Sequence, residues 1–215
     1  MLPQLDAEQV RVLGALIEKE ATTPEYYPMS ANALVNACNQ KNNRYPVVSY
    51  DEDTVLDAIA RLRADRMAAV ITGSGRVNKY AERFSELYNF GRREIALLCV
   101  LFLRGPQTLG ELRDRSERIH NFQDPEAVEA TLDRLANHEA GKMVTRLAKI
   151  PGQKEARYAH LFSGEPVQEA FPQTSEDRSP APPGRLAALE NEVATLREEL
   201  ADLKNKFEDF QRQFS

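Results

Sequence analysis

At 215 residues, with 42% hydrophobic content and a formal net charge of −5, the chain can fill one or two modest cores. The acidic balance argues against wholesale coating of nucleic acid, which calls for a basic footprint to meet phosphates. No apolar run approaches the ~20 residues of a membrane span. The stretch MLPQLDAEQV also lacks the basic and apolar regions of a secretion signal, so the expected compartment is the cytoplasm with no membrane partner.

In chain order, Val10, Leu13, Leu16 and Ile17 are spaced as one helix face and predict a helix over 6–19. TTPEYYP at 22–28 reads as a rigid packed connector. Ser30 then opens a short helix ending at Cys38. The next stretch, CNQKNNRYPVVSYDED, sets Asn39, Gln40, Lys41, Asn42, Asn43 and Arg44 in a row. Such amides and bases suit base edges and phosphates. They suit an ordinary turn equally, since Asn bonds its own backbone and tolerates positive φ. Pro46 then pushes the chain toward extended backbone.

Asp51 opens a longer helix over 51–66, with Val55, Ile59 and Leu62 on one face. AAVIT and VNKYAER, joined by GSGR, predict a hairpin. The pattern then recurs. Ile95, Leu98, Leu101 and Phe102 repeat the first stripe, and Val128, Leu132 and Leu135 repeat the third. KYAERF is echoed by RYAHLF. The second copy thus predicts helices over 92–103, 108–119 and 124–139, and a hairpin of MVTRLAKI and EARYAHLF around PGQK.

Three helices followed by a hairpin is the winged-helix order, in which the third helix is the candidate groove reader. The expected fold is therefore mainly helical with small β-hairpins, an α+β class. It would comprise winged-helix domains at 1–88 and 89–164, a Pro-rich linker at 165–185 and a coiled-coil helix at 186–214. In that tail Leu186, Leu189, Val193, Leu196, Leu200, Leu203, Phe207, Phe210 and Phe214 alternate spacings of three and four. Complementary g-to-e′ pairs of Glu192 with Arg197 and Glu199 with Lys204 favour a parallel homodimer.

Charge placement complicates a DNA reading. The first predicted third helix carries Asp51, Glu52, Asp53, Asp57 and Asp65 against Arg61, Arg63 and Arg66. Its counterpart carries Asp124, Glu126, Glu129, Asp133 and Glu139 against Arg134. Carboxylates at these starts cap helices and oppose the dipole, but they repel phosphates. The bases cluster in the hairpins instead. Candidate DNA contacts are Asn39, Gln40, Lys41, Asn43 and Arg44 of the loop, with Arg76, Lys79, Arg146, Lys149, Lys154 and Arg157 of the wings.

LIEKEATTPEYYPMSANALVNACNQKNNRYPV at 16–47, with SGEP at 163–166, resembles the YceH-like family of bacterial proteins of unknown function. The likeness covers about residues 5–166, and the TTP-x-x-YP and ACNQK-x-NR-x-PV blocks are long enough to be specific. It implies a pair of winged-helix domains and supplies no catalytic or binding role for the loop.

Enzyme chemistry finds little purchase. His120, His138 and His160 lack metal-ligand spacing and read as exposed or wing-lining residues. The GSG at 73–75 reads as a hairpin turn, Cys99 as a buried thiol, and Cys38 has no C-x-x-C partner. No disulfide, metal, cofactor or catalytic group is expected. Two functions stay open: a regulatory DNA-binding dimer using wings and loop, or a winged-helix module binding a protein partner, similar in logic to the acidic tandem winged-helix subunit of bacterial chromosome-condensing complexes.

Overall fold

Asp6 starts the first helix with a reciprocal cap: its carboxylate accepts from the Gln9 backbone N–H at 2.8 Å, and the Gln9 amide oxygen accepts from the Asp6 N–H at 3.2 Å. The helix, α1, runs Ala7–Thr22. The computed structural model describes residues 2–72, 77–149 and 155–166. The described residues belong to one compact unit, which ends at Glu169. The heptad tail, with Leu186, Leu189, Val193, Leu196, Leu200, Leu203, Phe207 and Phe210, lies outside the described residues, as do Arg76 and Lys154.

After α1, the TTPEYYP connector is a 3-10 turn at Pro24–Tyr26 leading into a two-residue strand, β1 (Met29–Ser30). Ser30 caps α2 (Ala31–Cys38), and Asp51 caps α3 (Glu52–Ala64) by accepting from the Thr54 N–H at 2.9 Å. The first hairpin follows as β2 (Ala68–Ile71) and β3 (Lys79–Glu82). A one-turn helix, α4 (Phe84–Leu87), then leads to α5 (Arg92–Arg104). The second half adds α6 (Leu109–Ser116), capped by Thr108 and Glu111, and α7 (Pro125–Ala136), capped by Asp124. Strands β4 (Val144–Arg146) and β5 (Tyr158–His160) close it.

The result is the α+β class that the sequence predicts, helical with two small antiparallel sheets. In one sheet β3 lies between β1 and β2, with Tyr80 opposite both Met29 and Val70. The other pairs β4 with β5 through Thr145 and Ala159. Among the described residues, a bridge from Gln107 to Tyr158 stands in place of a third strand. The repeat therefore extends to the connector, where two residues pair in one half and one in the other.

One apolar cluster runs through both halves. Helices α1 and α5 make this possible, because each is buried on all sides over its middle, at 9–17 and 96–103. The stripe of Val10, Leu13, Leu16 and Ile17 is only one face of α1. Val12, Gly14 and Ala15 bury the rest. The two repeated phenylalanines, Phe84 and Phe162, meet edge-on with centroids 5.2 Å apart, and both touch Phe102 of α5.

Gly14 sits where α1 meets α5. A Cβ there would lie 2.9 Å from Leu103 Cδ2 and 3.1 Å from Phe102 Cβ. Alanine would gain about 1 kcal/mol of helix propensity, but forcing the two helices apart costs about 1–3 kcal/mol. Gly14→Ala is therefore expected to be neutral to destabilising and Gly14→Val clearly destabilising, read as a lower urea midpoint.

Candidate functional site

The loop after α2 is a clasp. Asn39 brackets the backbone of Tyr50, its amide donating to the Tyr50 carbonyl and its oxygen accepting from the Tyr50 N–H, both at 2.8 Å. Asn43 takes φ 61, the left-handed region that Asn tolerates, and its oxygen accepts from Arg104 of α5. The Tyr45 N–H donates to the Leu103 carbonyl at 2.8 Å, so the loop is tied to the second half at two points.

Arg44 corrects its expected role as a phosphate contact, because its guanidinium is fully buried. It forks onto Glu18 of α1 at 3.0 and 2.6 Å. It also donates to the Ala37 and Asn43 carbonyls and to Gln40 Oε1. Burial pushes the Glu18 carboxyl up, but the hydrogen bonds and charge of Arg44, with help from Lys19, more than offset it and hold Glu18 below its ordinary value. A second buried base, Arg11, donates to the Cys38 carbonyl at 2.9 Å and the Pro46 carbonyl at 2.5 Å. Desolvation, with the charge of Arg44, lowers its pKa.

The other predicted contacts divide by exposure. Gln40 supports Arg44 while remaining exposed, and Lys41 and Asn43 are exposed in the loop. Lys79 opens β3, Arg146 ends β4 and Lys149 follows it, all exposed. Arg157 is half-buried and bound to Glu111 at 2.7 Å and to the Pro106 carbonyl at 2.9 Å. The structure thus leaves the exposed candidates on separate elements and spends Arg44 and Arg157 on internal carboxylates.

The third helices carry the opposite charge outward. Glu52, Asp53 and Asp57 of α3 and Glu126, Glu129 and Asp133 of α7 are exposed. The bases near them are partly committed: Arg61 binds Asp6 and Asp57, and Arg134 binds Glu94 of α5 at 2.5 Å.

Where the loop, α1, α5 and α6 meet, a cavity of about 270 Å³ opens. Its lining includes Glu18, Asn43, Leu103, Arg104, Arg115 and Arg118. Sequence reasoning missed this place. The one available signal was Glu18, an acid following directly on the apolar Leu16 and Ile17 in LIEKE.

The histidines pack. His160 lies against Phe102 with centroids 4.9 Å apart, and its buried Nδ1 has no hydrogen-bond partner among the described residues. Burial lowers its pKa to about 4, and on β5 it takes the wing-lining place of the two expected, not the exposed one. His138 faces the Tyr88 carbonyl at 3.2 Å, and His120 meets the Phe122 ring at 4.7 Å. Both cysteines are buried, and burial raises Cys38 to about 12 and Cys99 higher still. No helix among the described residues is long and apolar enough to cross a membrane.

A carboxyl pair joins α1 to the first hairpin. Glu20 lies beside Glu82, close enough to share a proton with it, and the Glu82 oxygens accept from the Ser85 N–H at 2.9 Å and the Ser85 hydroxyl. The Tyr27 hydroxyl accepts from the Glu82 N–H at 2.5 Å. Partial burial and the hydrogen bond to Glu82 raise Glu20 to about 7.

Two outcomes follow from this chemistry. Arg44→Ala removes the buried fork from Glu18 and leaves only Lys19 beside its charge; it is expected to cost about 3–5 kcal/mol in chemical unfolding, whereas Lys41→Ala stays within about 0.5 kcal/mol. The raised Glu20 stabilises the fold when protonated. Its contribution is whole below the ordinary value of 4.5 and is lost as pH rises through about 7. Unfolding midpoints of the native protein are expected to fall over that range relative to Glu20→Gln, which holds the neutral form throughout.

Residues 5–153 match the family described as "Protein of unknown function, DUF480". The chain is 57% identical over 192 residues to a UPF0502 protein of Solibacter usitatus, covering 88% of this chain and 91% of that one. It is 48% identical over 221 residues to UPF0502 protein GSU0233 of Geobacter sulfurreducens, covering 98% of both. A UPF0502 protein of Aliivibrio salmonicida is 46% identical over 196 residues, 86% of this chain and 88% of its own. The chain therefore belongs to the DUF480 (UPF0502) family, the YceH-like group that the 16–47 segment resembles.

Proposed function

We propose that the chain is a tandem winged-helix interaction module, a binder and not a catalyst, whose third helices α3 and α7 dock a basic surface of a protein partner. The observation that carries this reading is the row of exposed carboxylates at the N-terminal halves of both helices, Glu52, Asp53 and Asp57 in one and Glu126 and Glu129 in the other. A groove-reading helix needs Arg, Lys, Asn or Gln at those positions. Phosphates would be repelled there, whereas a partner rich in Lys and Arg would be steered toward them. The heptads of the tail would pair two copies in parallel and present both sets of acidic helices together.

A second reading rests on a separate observation. Lys41, Lys79 and Arg146 are exposed on the loop and hairpins, and a regulatory dimer could use them to hold DNA phosphates without reading bases.

The two readings separate in one pair of experiments on the full chain. Fluorescence anisotropy of a random-sequence duplex at low salt is expected to detect no binding. Affinity capture from cytoplasmic extract is expected to retain a specific protein that is lost when Asp53→Asn, Asp57→Asn, Glu126→Gln and Glu129→Gln are combined, and kept when Lys41→Glu, Lys79→Glu and Arg146→Glu are combined. Duplex binding that weakens linearly with log salt and disappears in the second variant overturns the protein-docking reading in favour of DNA.

A further inference from the structure

The cavity beside the clasp is bounded by the two halves together. Glu18 and Thr22 come from α1 and Asn43 from the loop, while α5 and α6 with the residues after it supply the opposite wall. Its apolar surface comes from Val100, Leu103 and Ile119.

The charges at its rim are unequally committed. Glu18 is taken by Arg44 and Lys19, and Asp114 by Arg113 at 3.1 Å. Arg104 donates to Asn43, and Arg115 is held by Gln107 and by Glu111 at 3.5 Å. Arg118 is exposed and makes no ion pair among the described residues. A guanidinium has five N–H donors in a rigid fork. Gln107 and Glu111 already order Arg115 at the rim, so less rotamer entropy is lost there on binding.

We propose that this cleft binds a small organic monocarboxylate with an apolar body, its head on Arg118 beside Arg104 and Arg115 and its body against Val100, Leu103 and Ile119. Arginine forks match the two oxygens of a carboxylate. The acids sharing the rim, Asp114, Glu117 and Glu18, keep the local charge too low to favour a dianionic phosphate over a single negative charge. The volume, about 270 Å³, lies near the lower end of small-molecule sites, which suits a body of one aromatic ring or a short chain. An occupant would touch α1, the clasp, α5 and α6 at once and so brace the two halves. The assignment does not depend on what α3 and α7 bind.

The probe is 3-phenylpropionate, titrated into the full-length protein by calorimetry and by amide NMR, with 3-phenylpropylamine and inorganic phosphate as comparisons. Saturable binding of the carboxylate is expected, with amide shifts centred on 99–104 and 115–119. Arg118→Gln, at an exposed position, should keep the fold and weaken binding about tenfold, and Arg118→Lys should recover part of that loss. The proposal is overturned by no saturable shift up to about 10 mM. Equal binding of the amine, phosphate binding as tight as the carboxylate, or an unchanged affinity in Arg118→Gln would overturn it as well.

Discussion

The close approach of α1 and α5 at Gly14 is the constraint on which the other features rest. Neither helix could be buried on all sides unless each served two partners, its own half and the other helix. A residue without a side chain lets the helices come near enough for Leu103 and Phe102 to close over it. The Cys99 thiol, 3.6 Å from the Gly14 carbonyl, is part of the same contact. Once that crossing is set, the C-terminal turns of the two helices lie side by side. Glu18 and Thr22 then face Leu103 and Arg104 across the cavity, and the loop after α2 bridges them. Clasp and cleft are consequences of one packing decision.

Burying two arginines against one carboxylate looks unfavourable until the carbonyls are counted. A lone buried charge is costly unless it is paired and hydrogen-bonded. Arg44 has Glu18 on its fork and backbone oxygens on its remaining donors. Arg11 has no carboxylate and relies on the carbonyls of Cys38 and Pro46, leaving Nε unpartnered among the described residues. Both arginines hold the ends of the same loop, one from within it and one from α1. This explains its composition: Asn39, Gln40 and Asn43 supply the short-range acceptors and the positive φ that let the chain turn around two cations.

Helices with an apolar stripe and an Asp, Ser or Thr cap were legible because both signals are local. The repeat was legible because its spacing is constant, and even the pairing of Phe84 with Phe162 is implied by KYAERF and RYAHLF once the halves are known to pack together. Burial of Arg44 was not legible. In the sequence it stands among exposed amides, and its partner Glu18 is 26 residues away, a distance that no window for helix or turn spans. The TTPEYYP connector was legible as a rigid packed segment, but its partner was not: the Tyr27 hydroxyl accepts from the backbone N–H of Glu82, 55 residues on. The cleft escaped notice for a related reason, since its arginines come from α5 and from α6 and the turn after it, and each reads by itself as a solvated side chain.

The distribution of charge separates structure from surface. Bases such as Arg44 and Arg157 that looked available in the sequence are held by Glu18 and Glu111 inside the protein, where their energetic weight is greatest because the dielectric is low. Acids on α3 and α7 remain in water, where they cap helices and oppose the dipole but gain little from isolated surface pairs. N-capping is satisfied by Asp51 and Asp124, and Glu52, Asp53 and Glu126 add to it by opposing the dipole in the first turns. Past those turns, Asp57, paired with Arg61, and Glu129 carry the acidic face further along the two helices, the feature on which the proposed docking of a basic partner rests.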